Sequence, residues 1–206
     1  MKKTIFLILL WALNFSVFSQ PSGYKALDET QKKQTLSQIS AATSQLTSLK
    51  VNFTQEKKSK AFTNPVVSSG TLSFKKSNFL RWAYTSPTSY SIILNENGAF
   101  YKNEKGSTKN KMIGEMAKLI LRTVSGEGLT NSTDFTLSYY KGKDILVILL
   151  PKSKKMQEIY SRIEVYLNAT YLATCVKMTE KNGDETVIKF TNHQKNVTFS
   201  ENEFKE

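Results

Sequence analysis

Cys175 and His193 are the only cysteine and the only histidine of the chain. A Cys-His nucleophile and base would have to use both, held side by side with a third group orienting the imidazole. The surroundings of Cys175 argue against that. Leu172, Thr174 and Val176 alternate with Ala173, Cys175 and Lys177, the period of a strand in which the thiol is a small buried residue. His193, beside Gln194 and Lys195 near a strand end, is expected in solvent. One His and one Cys cannot supply a zinc set. Asp28, Asp134, Asp144 and Asp184 stand singly at cap or turn positions, so no carboxylate pair for acid–base work is visible. There is no phosphate-cradling glycine loop and no nucleophile elbow. The expectation is a protein that is not an enzyme and uses no cofactor and no metal.

The apolar residues are patterned more sharply than the reactive ones. In the segment from Gly70 to Pro87, GTLSFKKSNFLRWAYTSP, Gly70, Leu72 and Phe74 share one face of a strand. Leu80, Trp82 and Tyr84 share one face of the next, and the turn-prone Lys75-Lys76-Ser77-Asn78 joins them. Upstream, Asp28 with Gln31 three residues on is a capping-box variant. Leu36, Ile39, Ala42, Leu46 and Leu49 then recur near helical spacing. Residues 110–125 form a second amphipathic helix, with Met112, Met116, Leu119, Ile120 and Val124 on one face, Ile113 and Leu121 widening it, and Gly126 and Gly128 ending it. Further strands are predicted at 135–140, 145–150, 159–167, 172–180, 187–192 and 197–199. Tight connections such as Asn182-Gly183 force antiparallel pairing. The fold class is therefore α+β: one curved antiparallel sheet of about eleven strands, with two to three helices able to cover its apolar face. An ordinary packed core and a lined cavity both fit this pattern.

Residues 1–19 read as a cleaved secretory signal. Lys2 and Lys3 precede an apolar run from Ile5 to Leu13, and Val17 and Ser19 suit a cut before Gln20. The run is too short to span a bilayer, and residues 20–206 read as a single domain. Loss of the segment removes two lysines from a formal net charge of +12, leaving +10. Basicity of this size suits nucleic acid or anionic lipid. An exported protein rarely meets the former, so no nucleic acid is expected. A single Cys permits no internal disulfide.

The order of residues in GTLSFKKSNFLRWAYTSP resembles the LolA family of periplasmic lipoprotein carriers, whose members read G-x-L-x-h-K-R-P-x-x-F-x-W-x-h-x-x-P with h apolar. Lys76 stands where the family has Arg, and Ser77 where it has Pro. The helix followed by Leu46–Gln55 is similar to the family's first helix and F-x-Q strand. Asn182–Thr186 and Phe190–Asn196 are similar to its late hairpin and F-x-N strand end. The resemblance implies an incomplete β-barrel with a helical lid over an apolar cavity for acyl chains. Leu72, Phe74, Leu80, Trp82 and Tyr84 would line the sheet wall, and Met112, Met116, Leu119 and Ile120 the lid. It also implies that Lys76, by residue type alone a solvated or snorkelling lysine, latches the lid through helix carbonyls near residues 112–121.

As function, the resemblance implies a monomeric periplasmic carrier that shields acylated lipoproteins. It would shuttle them from an inner-membrane lipoprotein-releasing transporter to the outer membrane, to an acceptor there where one exists. The alternatives are a carrier of the same fold for a glycolipid or polyene, and an envelope lipoprotein sensor.

Overall fold

The computed structural model describes residues 21–206, apart from the side chain of Met112. The signal segment read in residues 1–19 lies outside the described residues. The first helix starts as its cap dictates. Asp28 accepts from the backbone of Gln31 (2.8 Å), while the Gln31 side chain accepts from the backbone of Asp28 (3.2 Å). This reciprocal pair satisfies two donors that the first turn would otherwise leave unpaired. After the two-residue strand β1 (Lys25–Ala26), α1 (Glu29–Gln45) leads into β2 (Ser48–Lys58), β3 (Val66–Lys75), β4 (Phe79–Ser86), β5 (Tyr90–Asn95), β6 (Gly98–Asn103) and β7 (Gly106–Lys109). Next come α2 (Lys111–Val124), a 3-10 turn (Glu127–Leu129), β8 (Phe135–Lys141), β9 (Ile145–Pro151) and the one-turn helix α3 (Lys154–Gln157). The chain ends with β10 (Tyr160–Leu167), β11 (Ala173–Glu180) and β12 (Glu185–Lys195).

All twelve strands form one open antiparallel sheet in the order β1-β8-β9-β10-β11-β12-β2-β3-β4-β5-β6-β7. It is not closed into a barrel, because β1 and β7 remain its two edges. The two strands at those edges are short, which limits the unpaired backbone they present.

Three positions depart from the sequence pattern. Leu49 does not continue α1. The helix stops at Gln45 with Leu46 as its C-cap, and Leu49 becomes an inward residue of β2 with Val51 and Phe53. A β-branched, alternating run favours the pleated strand over another helical turn. Residues 197–199 form no strand, since both sides of β12 are already paired, with β11 and β2. Past Asn196, which is left-handed (φ 54°), the chain crosses the outer face of β3 and β4 instead. There Ser73 donates to the Glu203 carboxylate (2.6 Å), Arg81 donates to the Glu203 carbonyl (3.2 Å), and Phe204 packs on Phe79 with centroids 5.6 Å apart. The β3–β4 turn carries two consecutive left-handed residues, Ser77 (φ 74°) and Asn78 (φ 69°). Proline, fixed near −65°, could not occupy this position, so the family's Pro has no place in this form of the turn.

Registers align the inward side chains in rows across the sheet. Val51 lies opposite Leu72, Leu72 opposite Trp82, and Trp82 opposite Ile92. The next row is Phe53, Gly70, Tyr84 and Tyr90. Gly70 is needed there because a Cβ would lie 1.9 Å from the Ala83 carbonyl oxygen and 3.0 Å from the Phe53 ring. The space it leaves is filled by the rings of Phe53 and Tyr84, edge to face at 4.9 Å. Gly70→Ala is expected to destabilise the fold by about 3 kcal/mol, since the clash is with backbone that cannot rotate away. A urea titration checks this, and a loss under about 1 kcal/mol would show that the β3–β4 pairing relaxes freely.

Candidate functional site

The structure brings the five sheet residues Leu72, Phe74, Leu80, Trp82 and Tyr84 together on the inner face. Leu72 and Leu80 are 0% exposed and Trp82 is 1% exposed. The wall is largely aromatic: Phe53 meets Trp82 edge-on at 5.7 Å, and Tyr84 stacks on Tyr90 at 4.4 Å. One polar pair lies among these rings, the Tyr84 hydroxyl donating to Gln55 Oε1 at 2.9 Å. Burial pushes the Tyr84 phenol well above its ordinary pKa, so it stays a neutral donor. The buried Trp82 indole N–H has no hydrogen-bond partner among the described residues.

Helix α2 closes over β4, β5 and β6, but with a face rotated from the one expected. Ala117, Ile120, Leu121 and Val124 are the buried stripe. Met116 and Leu119 are only half-buried, and the Met112 side chain lies outside the described residues. The rotation is set by Gly114, where an added Cβ would stand 2.8 Å from Ala99 Cβ on β6. This small-to-small contact lets the helix backbone approach the sheet, and residues 117, 121 and 124 follow Gly114 inward at helical spacing. Because α2 is apolar over a wide arc, its sequence could not show which part of that arc faces in.

Met116 and Leu119 instead line a groove of about 420 Å3 on the outer flank of α2, with Met156 of α3, Ile159 and Tyr160 opposite and Lys111, Glu115 and Lys155 at its margin. Met156 and Ile159 were not singled out by sequence, where Ile159 reads only as the start of a strand and Met156 lies before it.

Lys76 reaches a helix carbonyl, but of a different helix from the one expected. Its Nζ donates to the Ser44 carbonyl oxygen at 2.7 Å, in the last turn of α1 rather than in α2. The final carbonyls of a helix lack intrahelical donors and carry the negative end of its dipole. α1 has no basic residue of its own in that turn, so Lys76 supplies the cation from the β3–β4 turn. Asn196 completes the cap, its amide donating to the Gln45 carbonyl (3.2 Å) and its oxygen accepting from the backbone of Thr47 (2.9 Å). The same end of α1 packs on the exit of α2. Gly126 is left-handed (φ 81°), and a Cβ there would lie 2.6 Å from Thr43 Oγ1. Lys76 therefore touches the lid only indirectly, through α1.

The two reactive side chains are also placed differently from expectation. Cys175 is half-exposed on the outer face of β11 rather than buried in the core, because it shares that face with Lys177 and Thr179 while Val176 and Met178 point into the core. Burial still pushes its thiol above the ordinary range, the opposite of thiolate activation. His193 is half-buried with Nε2 2.8 Å from the Ala173 carbonyl oxygen, a contact made possible by the irregular pairing after Thr191. Among the described residues no group of three His, Cys, Asp or Glu could hold a metal.

The sequence model of the family described as outer membrane lipoprotein carrier protein LolA matches residues 44–206. The chain belongs to the LolA family. No curated protein matches it. Among solved structures it is similar to MucB, at 12% identity and a TM-score of 0.50, covering 86% of this chain and 63% of that one. It also resembles LppX of Mycobacterium tuberculosis, at 10% identity and a TM-score of 0.48, over 84% of this chain and 100% of that one. A LolA superfamily protein from Nitrosomonas europaea matches at 11% identity and a TM-score of 0.47, over 82% and 96% of the two chains. At these identities the likeness concerns the fold. The LolA-family match begins at residue 44, so most of α1 precedes it, while Ser44 itself and Lys76 fall inside.

Lys76→Leu should lower stability by about 1 kcal/mol, a half-exposed charge-assisted bond being discounted for solvent. It should also speed hydrogen exchange selectively in the last turn of α1. Lys76→Arg, which can donate to the same carbonyl, should keep both near wild type. Equal exchange in all three proteins would show that the cap on α1 does not depend on this side chain.

Proposed function

We propose that this LolA-family chain is a lipid-handling carrier of the cell envelope. In this reading it is exported to the periplasm after loss of residues 1–19. It acts there as a monomer and shields the acyl chains of lipoproteins between an inner-membrane releasing transporter and the outer membrane. The observation that carries the reading is the meeting of an amphipathic helix, α2, with an aromatic sheet wall in an open sheet that, among the described residues, has no second layer of strands behind it. Lifting α2 would open the part of the wall on β4, β5 and β6, around Leu80 and Trp82, without disturbing the sheet beneath it.

The energetics favour such a self-closing interior. Two ordinary acyl chains bury roughly 30 methylenes at ~0.8 kcal/mol each, about 24 kcal/mol in all. Retention at that strength exceeds the practical ceiling of about 20 kcal/mol and would prevent release. Separating α2 from the wall first exposes apolar surface, which offsets part of the gain and brings the net affinity into a reversible range. The unpaired Trp82 N–H acts in the opposite direction and eases opening, since an unmade buried hydrogen bond costs the closed state about 1–3 kcal/mol. An acyl ester or amide carbonyl can satisfy it. Catalysis has no place in this reading, because neither Cys175 nor His193 faces the interior wall as a paired nucleophile and base.

A reversible lock on α2 tests the proposal. Gly114→Cys with Ala99→Cys, in a Cys175→Ser background, places two sulfurs where a small shift of the helix reaches the Cβ separation of about 3.5–4.5 Å that a disulfide needs. Reduced protein should bind a fluorescent fatty-acid probe with a negative heat-capacity change. Oxidised protein should take no probe into the interior, and reductant should restore uptake. Equal interior uptake in both states would remove α2 as the lid, and no uptake by folded wild type would remove the carrier function altogether.

A further inference from the structure

The outer flank of α2 carries a second apolar surface, whose residues Met116, Leu119 and Met156 pack partly on the core and stay partly exposed. Met116 and Leu119 look out from the helix toward Met156 and Ile159, and Ile159 is 43% exposed. At about 420 Å3 the groove is of the size that holds small amphiphiles. A second hollow of about 180 Å3 continues it past Leu119 and Met156 toward Phe135 and Leu149. Two facing methionines suit a chain that slides, because unbranched thioethers repack around differently placed methylenes.

The charges around this groove are one-sided. Residues 111–122 and 152–160 hold six basic side chains against two carboxylates. The carboxylate at the margin, Glu115, already has Lys118 at 3.8 Å and Lys155 at 3.4 Å. Lys111, at the N-terminal end of α2 and also on the margin, pairs with no carboxylate among the described residues. An apolar floor with one spare cation, Lys111, and Lys155 shared with Glu115 at one side is complementary to an amphiphile with an anionic head.

We propose that this groove is a receiving site for one long acyl chain bearing an anionic headgroup, occupied before α2 lifts. Met116, Leu119, Met156 and Ile159 hold the chain, and Lys111 and Lys155 meet the head. The inference rests on the carrier reading and adds to it an external acyl subsite and a preference for an anionic head. Its position follows from the rotation of α2. The residues that a lid facing fully inward would have buried are left on the doorway side, where a chain can lie before the lid moves.

The test uses exported, processed protein, so that the apolar run at residues 5–13 does not bind the probe itself. The probe is a palmitate analogue with a photoactivatable diazirine near the chain end, and labelled peptides are read by mass spectrometry. In protein locked by the Gly114→Cys and Ala99→Cys disulfide, label is expected on the peptides holding Met116 and Met156 and absent from those holding Leu72 and Trp82. Met156→Glu should cut groove labelling about tenfold while leaving the melting temperature within a degree or two, because Met156 is only partly buried. The corresponding fatty alcohol should label at least about fivefold less, and Lys111→Glu with Lys155→Glu should abolish that difference. Competition by palmitate against lysophosphatidylglycerol then identifies whether a free fatty acid or a phospholipid is the better occupant. Interior labelling in unlocked protein with none in the groove would overturn this inference and leave the carrier reading standing. Equal labelling by acid and alcohol would overturn the headgroup preference, and no labelling at either place would overturn both readings.

Discussion

An open single-layer sheet with one apolar face has no partner sheet to cover it, and everything else in this molecule answers that constraint. In a sandwich a second sheet would supply the other half of the core. Here the cover is α2, with α1 and the 3-10 turn braced around its exit. The turn is held to the sheet by the Tyr139 hydroxyl, which donates to the Leu129 carbonyl at 2.8 Å. A helical cover differs from a second sheet in one respect that matters for function. Its hydrogen bonds are internal, so it can leave the wall without breaking a β-ladder. The interior can therefore be as tightly closed as a core at rest and still be opened as a unit.

The end of α1 is where the two halves of the cover are tied to the sheet. Lys76 from the β3–β4 turn and Asn196 from the end of β12 converge on the last carbonyls of α1. Thr43 of the same turn fills the space that Gly126 leaves at the exit of α2. Four segments far apart in sequence thus share one small region, and the bond that Lys76 makes is felt by α2 only through this chain of contacts. A lysine is adequate there because the acceptor is a single carbonyl at a helix terminus, not a carboxylate that would reward the planar fork of arginine.

The groove and the interior are two sides of the same helix. Gly114 against Ala99 determines how α2 is rotated, and that rotation assigns Ile120 to the wall and Met116 to the flank. A bulky side chain at either small position would lift the helix and redistribute the apolar arc between the two surfaces, whereas a bonded cysteine pair holds the two Cβ atoms at about 3.5–4.5 Å and keeps the same face turned inward. The partition between closed storage and outward contact is thus decided by one close approach of backbone to sheet.

Much of the architecture was legible in the residues. The alternation in Gly70–Tyr84, the Asp28–Gln31 capping box and the Gly126 stop each encode a local geometry in adjacent side chains, and each element formed as they dictate. The five wall residues were legible for the same reason, since a period of two assigns faces along a strand once one residue is placed. The face of α2, the helix that Lys76 caps, the half-buried setting of His193 and the path of residues 197–206 were not legible. An apolar arc too wide for its stripe leaves helix rotation undecided, and a lysine in a turn has a reach that spans several acceptors. A strand such as β12 with both edges occupied rejects a further strand whatever its local pattern. The sequence by itself determined the local elements and the sidedness of the sheet. Only the tertiary structure decided which side chains meet across it, because those contacts depend on distances between segments more than a hundred residues apart, as between Gln45 and Asn196.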